Sequence, residues 1–263
     1  MVVNYFNYLS ERYDYYLSRR DERVLNWPLL NRPNDMIYLI IGYLVIVKIG
    51  QRIMKNQKPY GLKYPLIVHN SICTLLSLYM TIEIVYQAIS NDYSPMCNAV
   101  DYSEKGIGMA KVLWLFYFSK FIEFIDTFFM VLRKKDNQIT FLHCWHHATM
   151  PILWWLDLSY VGGGDSYLSA MVNSIIHTIM YSYYTLSLFG INVWWKKYLT
   201  QIQLIQFAVN LSASSLAIYF DCNFIKFMHW CMIFYMLGFL VLFGLFYKNS
   251  YSSRKRSTQN KIE

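Results

Sequence analysis

Apolar residues run along this chain in blocks of about twenty, separated by short polar or charged links. A block of that length crosses the hydrocarbon core of a bilayer as an α-helix. Links this short join neighbouring helices of one bundle. The pattern predicts seven membrane-spanning helices: Asp35–Ile53, Pro65–Ile89, Ala110–Leu132, Ile139–Leu158, Ser166–Phe189, Leu199–Phe220 and Lys226–Tyr247.

Composition supports this interpretation. The 263 residues are 56% hydrophobic and only 15% charged, whereas a soluble domain carries about 25% charged residues. We therefore expect an all-α membrane protein, with an N-terminal segment (1–34), one seven-helix domain (35–247) and a basic tail (248–263). Residues 1–34 lack an apolar core followed by a cleavage site, so the first span should itself target the chain.

Lys and Arg concentrate in the links after the first, third and fifth spans and in the tail. Because basic residues favour the cytosolic side, this asymmetry predicts a non-cytosolic N-terminus and a cytosolic C-terminus. Five arginines in residues 1–34 oppose the assignment. The net charge of +8 suits anionic headgroups or a phosphorylated substrate, and no separate basic domain exists for nucleic acid. The basic residues in these links and the tail are Lys55, Lys58, Lys63, Arg133, Lys134, Lys135, Lys196, Lys197, Lys248, Arg254, Lys255, Arg256 and Lys261.

The predicted topology sorts the five cysteines by side. Cys97 and Cys222 fall in two loops on the same non-cytosolic face, where oxidation is permitted. We predict a disulfide between them, with free thiols as the alternative. Cys73, Cys144 and Cys231 lie within spans and are expected to be small core residues.

Three of the six histidines fall within five residues of the fourth span. His143 reaches His146 and His147 at i+3 and i+4, so the three imidazoles share one side of a helix. Ionisable groups inside a membrane span usually mark a functional site. Hydrogen-bonded core histidines are the alternative. His69 and His229 stand alone and are expected to be core or interfacial residues.

Charged residues also interrupt the third span. Lys120, Glu123 and Asp126 follow one another in steps of three, so they line one flank of the helix. Charges at that depth should pair with each other and face the bundle interior. The set could line a substrate path or form a purely structural ion-pair ladder.

The fifth and sixth spans carry further polar residues. Asn173 lies one turn before His177 and can fix the tautomer of its imidazole through a hydrogen bond. Gln203 and Gln206 share one face of the sixth span. Glutamine contacts between helices are common in membrane bundles, so interhelical contact and substrate contact both stay open.

Clustered histidines first suggest a metal. A di-iron lipid oxidase is disfavoured, because the chain has six histidines, two of them isolated, and no second His-x-x-His-His box. A mononuclear zinc site built from His143, His146, His147 or His177 stays open. The other chemistry is covalent: a neutral imidazole, whose ordinary pKa is about 6.5, can attack a thioester. The resulting acyl-imidazole survives where water is excluded.

Four motifs resemble those of the eukaryotic very-long-chain fatty-acid elongases, the membrane condensing enzymes of the endoplasmic reticulum. Asn26-Trp27-Pro28-Leu29 and Trp194-Trp195-Lys196-Lys197 agree as well, and the resemblance covers essentially the whole chain apart from the tail. The motifs are Lys-x-x-Glu-x-x-Asp-Thr (Lys120–Thr127), His-x-x-His-His (His143–His147), Asn-x-x-x-His-x-x-Met-Tyr (Asn173–Tyr181) and Thr-x-x-Gln-x-x-Gln-Phe (Thr200–Phe207).

The resemblance implies seven helices, six of which enclose an acyl tunnel. It implies condensation of a long-chain acyl-CoA with malonyl-CoA to a 3-oxoacyl-CoA, carbon dioxide and CoA, without a cofactor or metal. His146 is then the candidate for the acylated nucleophile and His177 its partner or the decarboxylation group, and which of the two is acylated first is left open. His143 and His147 would orient the reacting ring.

The same resemblance suggests the substrate contacts. The polar end of the tunnel would be formed by Lys120, Glu123 and Asp126. The CoA phosphates would be met by cytosolic basic residues near Arg133–Lys135, Lys196–Lys197 and Lys248. The expected partners are membrane lipid and the reductases and dehydratase of the elongation cycle, with a homodimer left open. The thioester or the malonyl carboxylate would be positioned by Asn173, Tyr181, Gln203 and Gln206.

The chain departs from the family pattern at two places. Trp145 stands where Tyr or Phe is usual, and Lys261 lacks the second lysine of a dilysine retrieval signal, so residence in the endoplasmic reticulum rests on family and topology. Gln138 and Ser182-Tyr183-Tyr184 resemble members that accept polyunsaturated chains. A seven-helix transporter or receptor is disfavoured, because the polar residues converge on two histidine-bearing helices and no broken-helix repeat is visible.

Overall fold

A computed structural model describes the backbone of residues 2–259 and the side chains of residues 7, 8 and 10–245. Over this part the chain is helical and contains no strand. Two short 3₁₀ helices, Glu104–Gly106 and Trp194–Tyr198, lie between longer ones. The α-helices are α1 (Val2–Leu17), α2 (Pro33–Met54), α3 (Lys63–Ser90), α4 (Ile107–Ile122), α5 (Phe124–Leu132), α6 (Phe141–Tyr160), α7 (Ser166–Leu188), α8 (Leu199–Tyr219) and α9 (Lys226–Gln259).

The helices coincide with the predicted apolar blocks, which confirms the all-α membrane class. The third block is divided at Glu123, where the amide of Asp126 donates to the Glu123 carbonyl three residues back instead of four. The pattern did not predict α1. Among the described residues, four helical segments are long and apolar enough to cross a membrane, so the count of seven spans stays a prediction. These segments are Pro33–Met54, Lys63–Ser90, Trp194–Tyr219 and Lys226–Leu245.

Six helices close into a ring. In order around it, α3 packs on α4, α4 on α6, α6 on α9, α9 on α8, α8 on α7, and α7 back on α3. Helix α2 lies outside the ring and packs on α5 and α6. Tyr43 and Val47 face inward from α2, while Ile41 and Leu44 are exposed. An apolar residue exposed in this way faces lipid in a membrane-spanning helix.

Helix α4 is the most deeply buried part of the bundle. Leu113, Phe116 and Tyr117 are completely inaccessible to solvent. The Tyr117 hydroxyl donates to the carbonyl of Leu29 at 2.9 Å, and the Trp114 indole donates to the carbonyl of Pro28 at 3.0 Å. The segment before α2 is therefore anchored to α4, and Lys120 is carried into the interior one turn further along.

A disulfide and a network of hydrogen bonds join the loops at one end of the bundle. Cys97, after α3, is bonded to Cys222, after α8, with Cα atoms 4.8 Å apart. The Asp165 carboxylate, before α7, accepts from the amides of Cys97 at 3.1 Å and Asn98 at 2.7 Å. The two cysteine loops therefore lie on one face, as the topology predicted. Of the other cysteines, Cys73 is buried and Cys144 and Cys231 are half-buried.

Arg23 ties the N-terminal segment to the same end. Its guanidinium pairs with Asp21 at 2.6 Å and donates to the carbonyls of Asp101 at 2.5 Å and Val161 at 3.4 Å. A Cβ on Gly106 would lie 1.9 Å from the Asp101 carbonyl oxygen. The close approach of the two backbone segments before α4 therefore requires glycine at this position.

The links after α2 and α5 meet at the opposite end, where the Tyr60 amide donates to the Leu132 carbonyl at 3.0 Å. The links after α2 and α5 therefore lie at the end opposite to those after α3, α6 and α8, in agreement with the predicted topology. Which compartment each end faces stays a prediction. The tail side chains of Lys248, Arg254, Lys255, Arg256 and Lys261 lie outside the described residues.

Loss of the disulfide should destabilise the protein. We expect Cys97→Ser or Cys222→Ser to lower the free energy of unfolding by about 2–4 kcal/mol, because the bond closes a long loop in the unfolded chain. Both variants should have a lower melting temperature than the wild type in detergent. The melting temperature of the double variant should equal that of either single variant. Cys231→Ser, which touches no disulfide, is the control. Additive losses in the double variant would contradict the pairing.

Candidate active site

The three clustered histidines occupy the first two turns of α6. The helix begins at Phe141 because the Thr140 side chain caps it, accepting from the His143 amide at 3.2 Å. The ring centroids of His143 and His147 lie 4.3 Å apart, and those of His146 and His147 lie 5.2 Å apart. The structure therefore brings the three imidazoles together as the spacing predicted.

His143 is held by a chain of hydrogen bonds. Its Nε2 lies 2.8 Å from the hydroxyl of Thr127 on α5, and that hydroxyl lies 3.1 Å from the phenol oxygen of Tyr43 on α2. Thr127 and Tyr43 are completely or almost completely buried. One nitrogen of His143 is thus committed to the neighbouring helices, which fixes the orientation of the ring.

His147 and His146 have different surroundings. The His147 ring is buried and lies 6.2 Å from the rings of both Tyr43 and Phe124. The His146 ring is half-buried and packs against Phe239 of α9 at 5.4 Å. Neither ring makes a side-chain hydrogen bond within the described residues, so of the three imidazoles His143 alone is held by a hydrogen bond there.

Lys120 and Glu123 form a buried ion pair on the adjoining helices. Lys120 Nζ donates to Glu123 Oε1 at 2.8 Å and to Asn173 Oδ1 at 3.3 Å. The ammonium also lies 4.1 Å from the centre of the Phe116 ring, a distance typical of a cation–π contact. The pair that the spacing predicted is therefore formed, and it faces the interior.

His177 joins this cluster through Glu123. Its Nδ1 lies 3.3 Å from Glu123 Oε1, without the alignment of a hydrogen bond. The expectation that Asn173 bonds His177 is wrong, because the amide oxygen of Asn173 accepts from Lys120 instead. The His177 ring packs on Tyr181 at 5.7 Å, and its placement facing His146 stays a prediction.

Asp126 belongs to a second polar cluster and does not extend the ion pair. Its carboxylate lies 2.9 Å from His69 Nε2 and accepts from the Tyr181 hydroxyl at 2.5 Å. We expected His69 to stand alone as a core or interfacial residue; it is buried as expected, but it contacts Asp126 of the candidate site. The available signal was an ionisable side chain inside an apolar span.

The remaining predicted substrate contacts make no hydrogen bond with the clustered imidazoles among the described residues. Gln206 is buried and Gln203 half-buried, and neither makes a side-chain hydrogen bond within the described part of the chain. Lys196 and Lys197 are exposed on the second 3₁₀ helix, with Lys196 Nζ 5.6 Å from the Tyr183 ring centre. Residues 7–245 contain no group of three His, Cys, Asp or Glu arranged to hold a metal ion.

A cavity of about 90 Å³ lies inside the ring between α6, α7, α8 and α9, beyond the histidines. Its walls are mainly apolar, and they include Leu153, Trp154, Met232 and Tyr235. His229 also lines it, with Nε2 3.6 Å from Asp165 Oδ2. The cavity therefore extends from the level of Tyr235 toward the disulfide-bonded end.

Removal of the charge on one partner of the buried ion pair should destabilise the protein. Glu123→Gln keeps the size of the side chain but leaves the Lys120 ammonium without its counter-ion. We expect the free energy of unfolding in detergent to fall by about 3–5 kcal/mol. Adding Lys120→Met should recover most of that loss. A cost below about 1 kcal/mol for the single variant would contradict the pairing.

Comparison with known proteins places this geometry in a family. Residues 28–259 match the model of the family described as ELO: GNS1/SUR4. The chain is 40% identical over 262 residues to very long chain fatty acid elongase 4 of Mus musculus, covering 97% of this chain and 84% of the relative. It is 41% identical over 250 residues to very long chain fatty acid elongase 5 of Tachysurus fulvidraco, covering 94% and 85%. Residues 28–259 contain all four motifs and every helix from α2 to α9, and on this match the chain belongs to the ELO family.

Proposed function

We propose that this protein is an enzyme of fatty-acid elongation that condenses a long-chain acyl-CoA with malonyl-CoA to a 3-oxoacyl-CoA. The observation that carries the proposal is the His143–His147 cluster inside a ring of apolar helices. His143 is hydrogen-bonded to Thr127 and His147 is buried, while His146 is only half-buried and makes no side-chain hydrogen bond within the described residues. We therefore assign His146 as the imidazole that reacts, with His147 packed against it.

In the first half-reaction, the neutral His146 nitrogen attacks the thioester carbonyl of the acyl-CoA. The carbon–sulfur bond breaks, CoA leaves as the thiol after gaining a proton, and an acyl-imidazole remains. An acyl-imidazole hydrolyses readily in water, so its lifetime depends on a dry site. Phe239 and the ring helices around His146 provide apolar walls of the required kind.

In the second half-reaction, malonyl-CoA loses carbon dioxide and its α-carbon attacks the acyl carbonyl. A carbon–carbon bond forms, the imidazole leaves, and the product is a 3-oxoacyl-CoA two carbons longer. His177, beside Glu123 and Lys120, is suited to assist decarboxylation, because the ion pair supplies both signs of charge next to the ring. The reverse assignment, with His177 acylated first, stays open.

The acyl tail would run from His146 into the apolar cavity between α6 and α9. Leu153 lies seven residues beyond His146 on α6, or about 10 Å along the helix axis, and the cavity begins at that level. The similarity of Gln138 and Ser182–Tyr184 to members that use polyunsaturated chains suggests the same substrates here. The other end of the substrate carries phosphates, which Lys196, Lys197, Arg133 and Lys135 would meet at the predicted cytosolic face.

This arrangement fits an enzyme of the endoplasmic reticulum membrane with its C-terminus in the cytosol. Acyl-CoA and malonyl-CoA reach the ring from the end that carries these basic links. The 3-oxoacyl-CoA must then be reduced and dehydrated before another round, so the protein would work beside two reductases and a dehydratase. A homodimer stays open.

Replacement of His146 tests the proposal. Membranes that carry the wild-type chain should incorporate labelled malonyl-CoA into long-chain acyl-CoA, including polyunsaturated acyl-CoA. His146→Ala should lower this incorporation at least about a thousandfold, because the nucleophile is removed. Intact-mass analysis of purified protein after acyl-CoA alone should show an acyl adduct that the variant lacks.

Cys144→Ala, on the same turn of α6, is the matched control and should keep both the adduct and the incorporation. If His146→Ala remained active while accumulating normally, or formed the adduct, the covalent scheme would be wrong.

His69 should act as a positioning residue for Asp126 and Tyr181. His69→Phe removes the hydrogen bond to a carboxylate inside the bundle, and we expect kcat to fall about tenfold or more. The KM for acyl-CoA should change less than about threefold. His69→Gln should recover part of kcat, because its amide can donate to Asp126.

Thr74→Ala, on the same helix with a hydroxyl that bonds the Asn70 carbonyl, is the control and should leave kcat unchanged. A purely structural role for His69 would predict reduced accumulation with normal kcat per folded molecule, and no selective recovery by glutamine.

A further inference from the structure

A basic groove lies on the outer side of the bundle, away from the candidate active site. It has a volume of about 560 Å³ and is formed where the end of α2 meets the turn between α5 and α6. Four cationic side chains and one carboxylate line it together with Gln51. The five charged residues are Lys48, Arg52, Lys55, Lys134 and Asp136.

The cations of α2 have no carboxylate partner. Lys48, Arg52 and Lys55 follow at i, i+4 and i+7, so they share one face of the helix. None of them forms an ion pair within 4.0 Å among the described residues. Asp136 is engaged by Gln51, whose amide donates to it at 2.9 Å. The groove therefore carries an excess of positive charge that the fold itself does not neutralise.

Contacts across the groove hold its walls together. Lys134 Nζ donates to the carbonyls of Lys55 at 3.0 Å and Gln57 at 3.1 Å, at the end of α2. The backbone of Lys134 has a φ of +53°. This left-handed conformation is unfavourable for residues other than glycine, and such strained residues are concentrated at functional sites. A Cβ on Gly50 would lie 2.9 Å from the Val131 side chain, so glycine allows α2 to approach α5 closely here.

We propose that this groove binds the phosphate group of an anionic phospholipid. Basic pockets at the end of membrane-spanning helices are suited to such headgroups. Helix α2 lies outside the ring, and its apolar residues Ile41 and Leu44 are exposed one to two turns before Lys48. Acyl tails can lie along this exposed face while the phosphate meets Lys48, Arg52 and Lys55. A soluble phosphate would gain the charge contacts but not the apolar face.

The proposal is tested by titrating purified full-length protein in detergent with phosphatidic acid, which presents a phosphate monoester, or with phosphatidylcholine. We expect phosphatidic acid to bind the wild-type protein more tightly. Arg52→Gln/Lys55→Gln should raise its apparent Kd about thirtyfold, because each basic residue near such a headgroup contributes about 1 kcal/mol. Lys58→Gln/Lys63→Gln, which removes two charges outside the groove, should raise it less than about threefold.

A charge-conserving pair, Arg52→Lys/Lys55→Arg, should bind like the wild type. Equal losses in the two glutamine variants would overturn the proposal, because only net charge would then matter. Equal binding of phosphatidylcholine would overturn it as well.

Competition with soluble phosphates distinguishes the two sources of the ligand. Glycerol 3-phosphate and CoA should displace phosphatidic acid only at much higher concentrations, because they lack tails for the α2 face. If CoA competes as strongly as the lipid, the groove belongs to the substrate site and the lipid proposal fails. The titration uses no acyl-CoA, so its failure would leave the condensation proposal untouched, and inactivity of the wild-type protein would leave the lipid site untouched.

Discussion

The ion pair between Lys120 and Glu123 lies inside the ring of helices, where a lone charge would cost several kcal/mol. Each partner therefore needs the other, and the remaining polar atoms need partners of their own. The side-chain oxygen of Asn173 accepts a hydrogen bond from Lys120, and the His177 ring lies beside Glu123. In this way one buried pair determines how α4, α5 and α7 approach each other at the candidate active site.

A second cluster satisfies Asp126 separately. His69 from α3 and Tyr181 from α7 both contact its carboxylate, and Tyr181 also packs against His177. The two clusters thus meet at Tyr181, which is almost completely buried. Separating the two carboxylates gives each of them its own partners.

The polar residues of the candidate site are concentrated on neighbouring helices of the bundle. Helices α4 to α7 hold most of them, and α2, α3, α8 and α9 contain segments long and apolar enough to cross a membrane. Polar groups are tolerated in helices α4 to α7 because neighbouring protein supplies their hydrogen bonds. Helix α2 lies outside the ring of helices. Its Tyr43 bonds the Thr127 hydroxyl that contacts His143, and its basic end lines the groove.

Periodicity and local spacing predicted the helices from α2 to α9, apart from the break between α4 and α5 at Glu123. They also predicted the pairing of Lys120 with Glu123 and the clustering of the α6 imidazoles, because these depend on residues that are close in the sequence. The alternation of basic and neutral links brought Cys97 and Cys222 to one face. Contacts between distant segments were decided only in the tertiary structure: His69 lies 57 residues from Asp126, and Lys120 lies 53 residues from Asn173. No pattern within one helix specifies which neighbour faces it, since that depends on how the six helices close into a ring.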